Sequence, residues 1–145
     1  VDLADIARQT VADLAPLAHK LGLELEVRVD ARDSRVAGSR TALMSLLSNL
    51  LSNALRFEPQ GGVISVVIGA GPRLMVEDHG PGLTEEEVAQ AFLPFWRAPD
   101  SSKGTGLGLA IVHEIARAHA AQVHVETTPG GGARFVVDFS TAGAV

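Results

Sequence analysis

The chain has 145 residues, 46% of them hydrophobic, and a formal net charge of −5 at pH 7, which predicts one domain around a single core. Its 12 Lys and Arg residues are scattered through an acidic sequence, so the basic surface typical of nucleic-acid-binding proteins is not expected. The absence of cysteine excludes disulfides, thiolate metal sites and cysteine nucleophiles, and it favours a cytoplasmic location.

The apolar stretches and the first residues of the chain bear on membrane insertion, secretion and the extent of the protein. No apolar stretch approaches the roughly 20 residues that a membrane-spanning helix needs, and no secretion signal opens the sequence. The first residue is Val1 rather than a methionine. We therefore expect a piece of a longer protein.

The first 36 residues predict a helix followed by short strands. Apolar residues at helical spacing over residues 3–20 predict a helix with Asp2 as its N-cap and Gly22 as its C-terminal stop. Apolar and charged residues then alternate over residues 23–30, which predicts a half-buried strand. A further short strand is predicted near Val36.

The middle of the chain predicts a long helix and a hairpin. A leucine stripe over residues 39–57 predicts an amphipathic helix that ends before Pro59. Two apolar segments, 63–69 and 73–78, are separated by a short Ala-Gly-Pro turn at residues 70–72. This spacing favours two antiparallel strands.

The second half of the chain begins with a long glycine- and proline-containing loop. Residues 79–106 show no long apolar periodicity, and only a weak helix is predicted at 84–92. Loops of this length in compact domains are usually functional. A clear helix is predicted at 107–120, followed by strands at 122–128 and 133–139.

The strands predicted near residues 23, 63, 73, 122 and 133, with three helices interspersed, predict an α+β fold. The expected arrangement is a two-layer sandwich in which three helices cover one face of a mixed five-stranded sheet. Strands and helices do not alternate strictly, which disfavours a doubly wound fold.

Two asparagines on the long helix are candidate metal ligands. Asn49 and Asn53 lie four residues apart, so both amides project from the same side of the helix, and Arg56 continues the row. Amide oxygens are hard ligands that suit Mg²⁺, and Arg56 could contact a phosphate. The alternative is that the three residues form the solvated side of an amphipathic helix.

A second candidate follows the hairpin, in the segment Asp78-His79-Gly80-Pro81-Gly82. A carboxylate at a strand end beside glycines can accept a hydrogen bond from an adenine amino group, because glycine lets a ligand approach the backbone closely. A plain turn is the alternative. A metal site at His79 is disfavoured, since no second His or Cys lies at ligand spacing.

A third candidate is the segment KGTGLGLA, residues 103–110, where Gly104, Gly106 and Gly108 directly precede a helix. Backbone amides at glycines and at a helix N-terminus bind anions, which favours a phosphate site. Lys103 precedes the glycines, so this is not a Walker motif, and the loop that leads in excludes a Rossmann fingerprint. A flexible linker is the alternative.

Half of the six aromatic residues lie between the two glycine segments, at Phe92, Phe95 and Trp96. Such a cluster can anchor a mobile lid or contact a partner. A local hydrophobic anchor is an equally good interpretation.

The order of these motifs resembles bacterial sensor histidine kinases over nearly the whole chain. NLLSNALRF is similar to their N box, DHGPG to their first glycine box, FLPFWRA to their F box and GTGLGLAIV to their second glycine box. The resemblance implies the Bergerat-type ATP-binding fold shared with DNA gyrase, the Hsp90 chaperones and MutL. It further implies that residues 1–145 form a single ATP-binding kinase domain, with a lid over roughly residues 83–103.

The resemblance also implies ATP and Mg²⁺ as cofactors and a role for each motif. By position, Asn53 matches the Mg²⁺-binding asparagine, Asn49 the polar residue one turn earlier, and Asp78 the carboxylate that reads adenine. The nucleotide-binding residues implied in this way are Asn49, Asn53, Arg56, Phe57, Asp78, Gly80, Gly82, Leu83, Lys103, Gly104, Thr105, Gly106, Leu107, Gly108 and Leu109.

Two positions depart from the family pattern, and a third separates its branches. Phe57 stands where the family often has Tyr, and Ala133 where Thr commonly follows the last glycines. ATP-hydrolysing relatives typically carry a glutamate at position 49 that activates water, which the uncharged amide of Asn49 cannot do. The resemblance therefore implies phosphotransfer rather than hydrolysis, with Asn49 and Asn53 as the catalytic pair.

The phosphoacceptor is expected elsewhere, because none of the five histidines has the family's acceptor setting; His113-Glu114 comes nearest but lies inside a helix. The resemblance implies a histidine-bearing dimerisation domain of the same protein as partner and a response regulator downstream. The isolated chain is expected to be a monomer and the cytoplasmic domain of a membrane-anchored homodimer.

Two other functions stay open at this stage. A free-standing serine kinase that binds a sigma factor has the same fold, and the F box argues against it. A non-catalytic nucleotide sensor is the other alternative, and the intact Asn53, Asp78 and glycine set argues against that.

Overall fold

The computed structural model describes residues 1–58, 61–78, 108–128 and 132–140. The described elements are three helices, α1 (Leu3–Lys20), α2 (Arg40–Phe57) and α3 (Gly108–Ala118), and five strands, β1 (Glu24–Val29), β2 (Val63–Gly69), β3 (Arg73–Glu77), β4 (Gln122–Thr127) and β5 (Ala133–Asp138). The weak helix predicted at 84–92 lies outside the described residues. Among the helices that the structure describes, none is both long and apolar enough to cross a bilayer.

The five strands form one mixed sheet in the order β1-β2-β3-β5-β4. β1 pairs with β2 in parallel, and the other neighbours are antiparallel. The predicted β2–β3 hairpin with its turn at residues 70–72 is confirmed. All three helices pack on the same face of the sheet, so the predicted two-layer fold is confirmed as well.

The helix ends follow from local hydrogen bonds. The Asp2 carboxylate accepts the Ala4 backbone N–H at 3.0 Å and also accepts the Ser34 hydroxyl, which satisfies a donor that the first turn of α1 leaves unpaired. Gly22, with φ of 75°, lies just after the C-cap, where a left-handed conformation favours glycine. Both predicted ends of α1 are confirmed.

The short strand predicted near Val36 is wrong. The segment forms only one isolated bridge, between Asp2 and Arg35. Backbone bonds join Val36 and Val1 in both directions, each 2.8 Å long, and the Leu3 N–H donates to the Ser34 carbonyl oxygen at 2.9 Å. The segment therefore ties down the start of α1 and adds no strand to the sheet.

The core lies between α2 and the sheet. Five leucines of α2 are completely buried, namely Leu43, Leu46, Leu47, Leu50 and Leu51, and each contributes about 1.5–3 kcal/mol relative to an exposed side chain. They pack with buried residues of α1 and the strands, among them Ile6, Ile64 and Phe135. The predicted leucine stripe is confirmed.

The opposite face of the sheet carries a polar ladder across all five strands. Glu26, Ser65, Glu77, Arg134 and Glu126 are successive partners in the register. The Arg134 guanidinium donates to Glu77 at 2.9 Å and to Glu126 at 3.2 Å. Hydrogen bonds from Arg134, and then from His124, hold the pKa of Glu126 below its ordinary value. This ladder makes one row of that face polar across the whole sheet.

A histidine joins the two helices that carry the motifs. His119, just after α3, accepts the backbone N–H of Ser39, the N-cap of α2, at its Nε2 atom over 3.1 Å. Its Nδ1 lies 2.8 Å from the Ile115 carbonyl oxygen; because a carbonyl only accepts, Nδ1 carries the proton. A Cβ added at Gly38 would lie 2.4 Å from the His119 ring. The contact therefore sets how α3 lies against α2.

A buried hydroxyl in α1 leads to a stability prediction. Thr10 is 1% exposed, and its Oγ1 has no hydrogen-bond partner within the described ranges. Thr10→Val keeps the shape and removes the unsatisfied group, so we expect the free energy of unfolding to rise by about 1 kcal/mol in denaturant titration. The exposed Thr41 of α2 provides the control, since Thr41→Val should change it by less than about 0.5 kcal/mol. A loss of stability in Thr10→Val would contradict the prediction.

Candidate functional site

The site residues of α2 and β3 that the structure describes lie toward the same edge of the sheet. The last turn of α2 leads through residues 58–62 into β2, and β2 is antiparallel to β3. The end of α2 and the end of β3, where Asp78 lies, are therefore at the same edge. α3 packs alongside α2 on the face above.

Asn49 is oriented by its own helix. Its side-chain Nδ2 donates to the Ser45 carbonyl oxygen at 2.7 Å, which requires the amide nitrogen on that side, since a carbonyl oxygen can only accept. The amide oxygen Oδ1 therefore faces away. It lies 3.3 Å from the position that a Cβ would take at Gly108. The asparagine motif and the last glycine of the second glycine motif are therefore close neighbours.

Asn53 and Arg56 extend this row toward the sheet edge. Asn53 is partly buried and Arg56 is exposed in the last turn of α2. Of the residues that the structure describes, none hydrogen-bonds to the Asn53 amide. Nor do three His, Cys, Asp or Glu side chains come together as metal ligands in those ranges. The donors present are amide oxygens, and these fit a Mg²⁺ ion that is bound largely through phosphate and water.

Asp78 is buried just after the end of β3. It is 4% exposed, and a buried carboxylate requires hydrogen-bond partners. Its Oδ1 accepts the backbone N–H of Ala133 at 3.2 Å, and its own N–H donates to the Ala133 carbonyl oxygen at 2.9 Å. The carboxylate therefore has a fixed position between β3 and β5.

The N-terminus of α3 provides the third part of the site. Gly108 is its first residue, and Leu109 is buried in the core. The first backbone N–H groups of a helix have no partner within the helix, and the helix dipole makes this end positive. The Asn49 amide oxygen therefore lies beside an end that favours anions.

The remaining predicted site residues lie outside the described ranges. These are Gly80, Gly82, Leu83, Lys103, Gly104, Thr105, Gly106 and Leu107, together with the lid segment, His79 and the aromatic cluster. Phe57 ends α2, but its side chain is also outside what the structure describes. Their roles stay predictions.

The structure adds contacts that the motifs did not show. Ala133, noted in the sequence only as a departure from Thr, supplies a backbone donor to Asp78. Gly132 lies against the Asp78 peptide, where an added Cβ would be 2.0 Å from the Asp78 carbonyl oxygen. The only sequence signal was the run of three glycines before β5, which predicts a turn and not a contact.

Comparisons with known proteins show the family of the chain. Residues 38–142 match the family described as histidine kinase-, DNA gyrase B-, and HSP90-like ATPase. The sensor protein QseC of Escherichia coli K12 is 34% identical over 133 residues, which cover 91% of this chain and 29% of QseC. The chain thus spans less than a third of that relative.

Solved structures show the same fold. The mycobacterial sensor histidine kinase MprB superposes with a TM-score of 0.85 at 26% identity, covering 94% of both chains. Full-length ShkA, solved in complex with AMPPNP, superposes with a TM-score of 0.78 at 30% identity, covering 94% of this chain and 29% of ShkA. By its fold, its ordered motifs and these matches, the chain belongs to the histidine kinase-, DNA gyrase B- and HSP90-like ATPases and is an ATPase domain of the sensor histidine kinase type.

Proposed function

We propose that this chain binds ATP with Mg²⁺ and donates the γ-phosphoryl group to a histidine on a separate dimerisation domain. The observation that carries the proposal is the contact between Asn49 and Gly108. It brings a hard oxygen ligand to the positive end of a helix, and a metal-bound triphosphate needs both.

Each part of the site has a proposed role. Asp78 accepts a hydrogen bond from the adenine amino group, and Asn49 and Asn53 bind Mg²⁺. Arg56 and the loop from Lys103 to Gly108 contact the phosphates. When bound, Mg²⁺ would neutralise part of the phosphate charge. Phe57, Leu83 and Leu109 complete the pocket, and residues 83–103 form the lid.

The chain's contribution to the reaction is positioning and charge stabilisation. An acceptor imidazole nitrogen attacks the γ-phosphorus in line, the bond from the phosphorus to the bridging oxygen breaks, and ADP leaves with that electron pair. Neither Asn49 nor Asn53 can act as a general base at neutral pH. Transfer to water is therefore expected to be slow, and rapid transfer is expected only to the acceptor histidine.

The remaining proposals concern the whole protein. ShkA was solved with AMPPNP, an ATP analogue, which supports ATP as the ligand of this chain. QseC is named a sensor protein, which supports a signalling role. We further propose a response regulator downstream and a membrane-anchored homodimer whose cytoplasmic part contains this chain. We propose that residues 1–145 are one ATP-binding domain of that protein.

Two measurements test the proposal. Calorimetric titration with ATP, with and without Mg²⁺, should show binding that Mg²⁺ strengthens; no binding in either condition would overturn it. The chain is then mixed with labelled ATP and a histidine-bearing dimerisation domain. Acid-labile label on that domain supports histidine transfer. Acid-stable label on serine of a protein substrate would favour the serine kinase, and binding without transfer would favour a nucleotide sensor.

Gly108→Ala tests the contact that carries the proposal. Gly108 is the first residue of α3, where the helix-interior difference between alanine and glycine of roughly 1 kcal/mol does not apply in full, so the free energy of unfolding should change by less than about 1 kcal/mol. Its Cβ would lie 3.3 Å from the Asn49 Oδ1 atom, and the bond to Ser45 prevents that amide from yielding. We expect ATP affinity with Mg²⁺ to fall roughly 5- to 20-fold. Unchanged affinity in calorimetry would show that this oxygen takes no part in binding.

A further inference from the structure

Asp78 takes part in an irregular pair between β3 and β5. In a regular antiparallel pair, two residues exchange backbone N–H···O=C bonds. Here the Asp78 N–H donates to the Ala133 carbonyl oxygen at 2.9 Å, but the Ala133 N–H donates to the Asp78 carboxylate at 3.2 Å. The side chain thus takes the place of a backbone carbonyl, so the carboxylate position depends on where the Asp78 peptide lies.

Gly132 determines where that peptide can lie. A Cβ added at Gly132 would be 2.0 Å from the Asp78 carbonyl oxygen and 2.8 Å from its carbonyl carbon. The same Cβ would be 2.8 Å from the Thr128 Oγ1 atom, so the space is closed on a second side. Glycine is therefore required at this position for room.

The hairpin that carries Gly132 is anchored independently of Asp78. The Thr128 N–H donates to the Gly132 carbonyl oxygen at 2.8 Å, and the register of β4 with β5 continues from Thr127 and Ala133. A side chain at Gly132 would therefore have to displace the Asp78 peptide, since its own strand is paired on the other side.

We propose that Gly132 is a positioning residue for recognition of the adenine base. Its bare Cα lets the Asp78 peptide pass at contact distance, which places the carboxylate for the 6-amino group of adenine. This inference rests on the proposed function. It extends the site to the β4–β5 hairpin, which none of the four sequence motifs includes.

The test compares two nucleotides that differ only at the recognised group. Dissociation constants are measured by calorimetry, with Mg²⁺, for ATP and for purine riboside triphosphate, which lacks the 6-amino group. The unmodified chain should prefer ATP by roughly tenfold or more. Gly132→Ala should lose roughly tenfold in ATP affinity while its affinity for the analogue changes by less than about threefold. The preference should therefore fall toward one.

A matched control separates positioning from a general loss of stability. Gly38→Ala places a Cβ 2.4 Å from the His119 ring. His119 precedes β4 and Thr128 follows it, so the two glycines lie near opposite ends of a strand roughly 20 Å long. Gly38→Ala should lower the melting temperature and leave the preference for ATP unchanged. A changed preference in this control would overturn the positioning role.

A second variant keeps the test decisive if Gly132→Ala does not fold. Ala133→Pro removes the N–H that the Asp78 carboxylate accepts, at the first residue of β5, where proline is tolerated in strands. It should reduce the preference for ATP in the same way. If either folded variant keeps the full preference, the positioning role is overturned while the proposed function stands. An unmodified chain that binds both nucleotides equally would overturn the role of Asp78 and this inference with it.

Discussion

Replacing Asp78 with Asn is expected to weaken ATP binding by roughly 10- to 100-fold, because hydrogen bonds to charged groups contribute about 1.5–3 kcal/mol. The new amide oxygen can still accept the Ala133 N–H that Asp78 accepts at 3.2 Å. Its other polar atom changes from an acceptor to a donor and would oppose the adenine amino group. The free energy of unfolding should therefore change by about 1 kcal/mol or less. Calorimetry and denaturant titration measure the two quantities.

Asp138→Asn is the matched control for this variant. Asp138 ends β5 at the far edge of the sheet, where it accepts the Ser140 backbone N–H at 2.8 Å and lies 3.5 Å from the Arg73 guanidinium. It is a partly buried strand-end aspartate with a similar hydrogen bond and no proposed ligand. ATP affinity should be unchanged in Asp138→Asn. If Asp78→Asn loses stability in proportion to affinity, Asp78 is structural and the proposed adenine role is wrong.

Asn53→Ala is expected to lower the rate of phosphoryl transfer to a histidine-bearing domain by roughly 100-fold or more, a barrier increase of about 2.7 kcal/mol. The variant removes an oxygen ligand proposed for Mg²⁺. Alanine is the better helix former by several tenths of a kcal/mol, so the fold should not be weakened. The initial rate of label transfer at saturating ATP, measured over a range of Mg²⁺ concentrations, checks the prediction.

Two further variants of α2 serve as controls for Asn53→Ala. Ser52 is the exposed neighbour of Asn53 on the same helix, and Ser52→Ala should transfer at the unmodified rate. Asn53→Asp keeps an oxygen ligand and should retain more activity than Asn53→Ala. Equal rates for the unmodified chain and Asn53→Ala at low Mg²⁺ would show that Asn53 is not a metal ligand.

Local patterns were sufficient for most of the fold. The leucine stripe of α2 repeats at helical spacing, and an apolar face of that length is stable only when it is buried in a core. The helix-capping residues Asp2 and Ser39 and the stop at Gly22 act through bonds within a few residues of each other. Such capping bonds can be predicted from the sequence because donor and acceptor lie within the same few residues.

The strand predicted near Val36 was wrong because a strand, unlike a helix cap, needs a distant partner. Its residues have the composition of a strand, but strand formation depends on a neighbour with a free edge. The segment found only a single bridge beside Asp2. The parallel pairing of β1 with β2 was likewise beyond sequence patterns, because it depends on how α2 crosses between them.

The sequence by itself determined the chemistry of the site: two amides on one helix, a carboxylate at a strand end and glycines before a second helix. Only the tertiary structure decided which of these groups meet. The contact of Asn49 with Gly108 joins residues far apart in the chain, and Asp78 is held by a backbone N–H of Ala133 and by the space at Gly132. A backbone donor and an absent side chain leave no residue-type signature, so the packing of β5 against β3 was needed to show them.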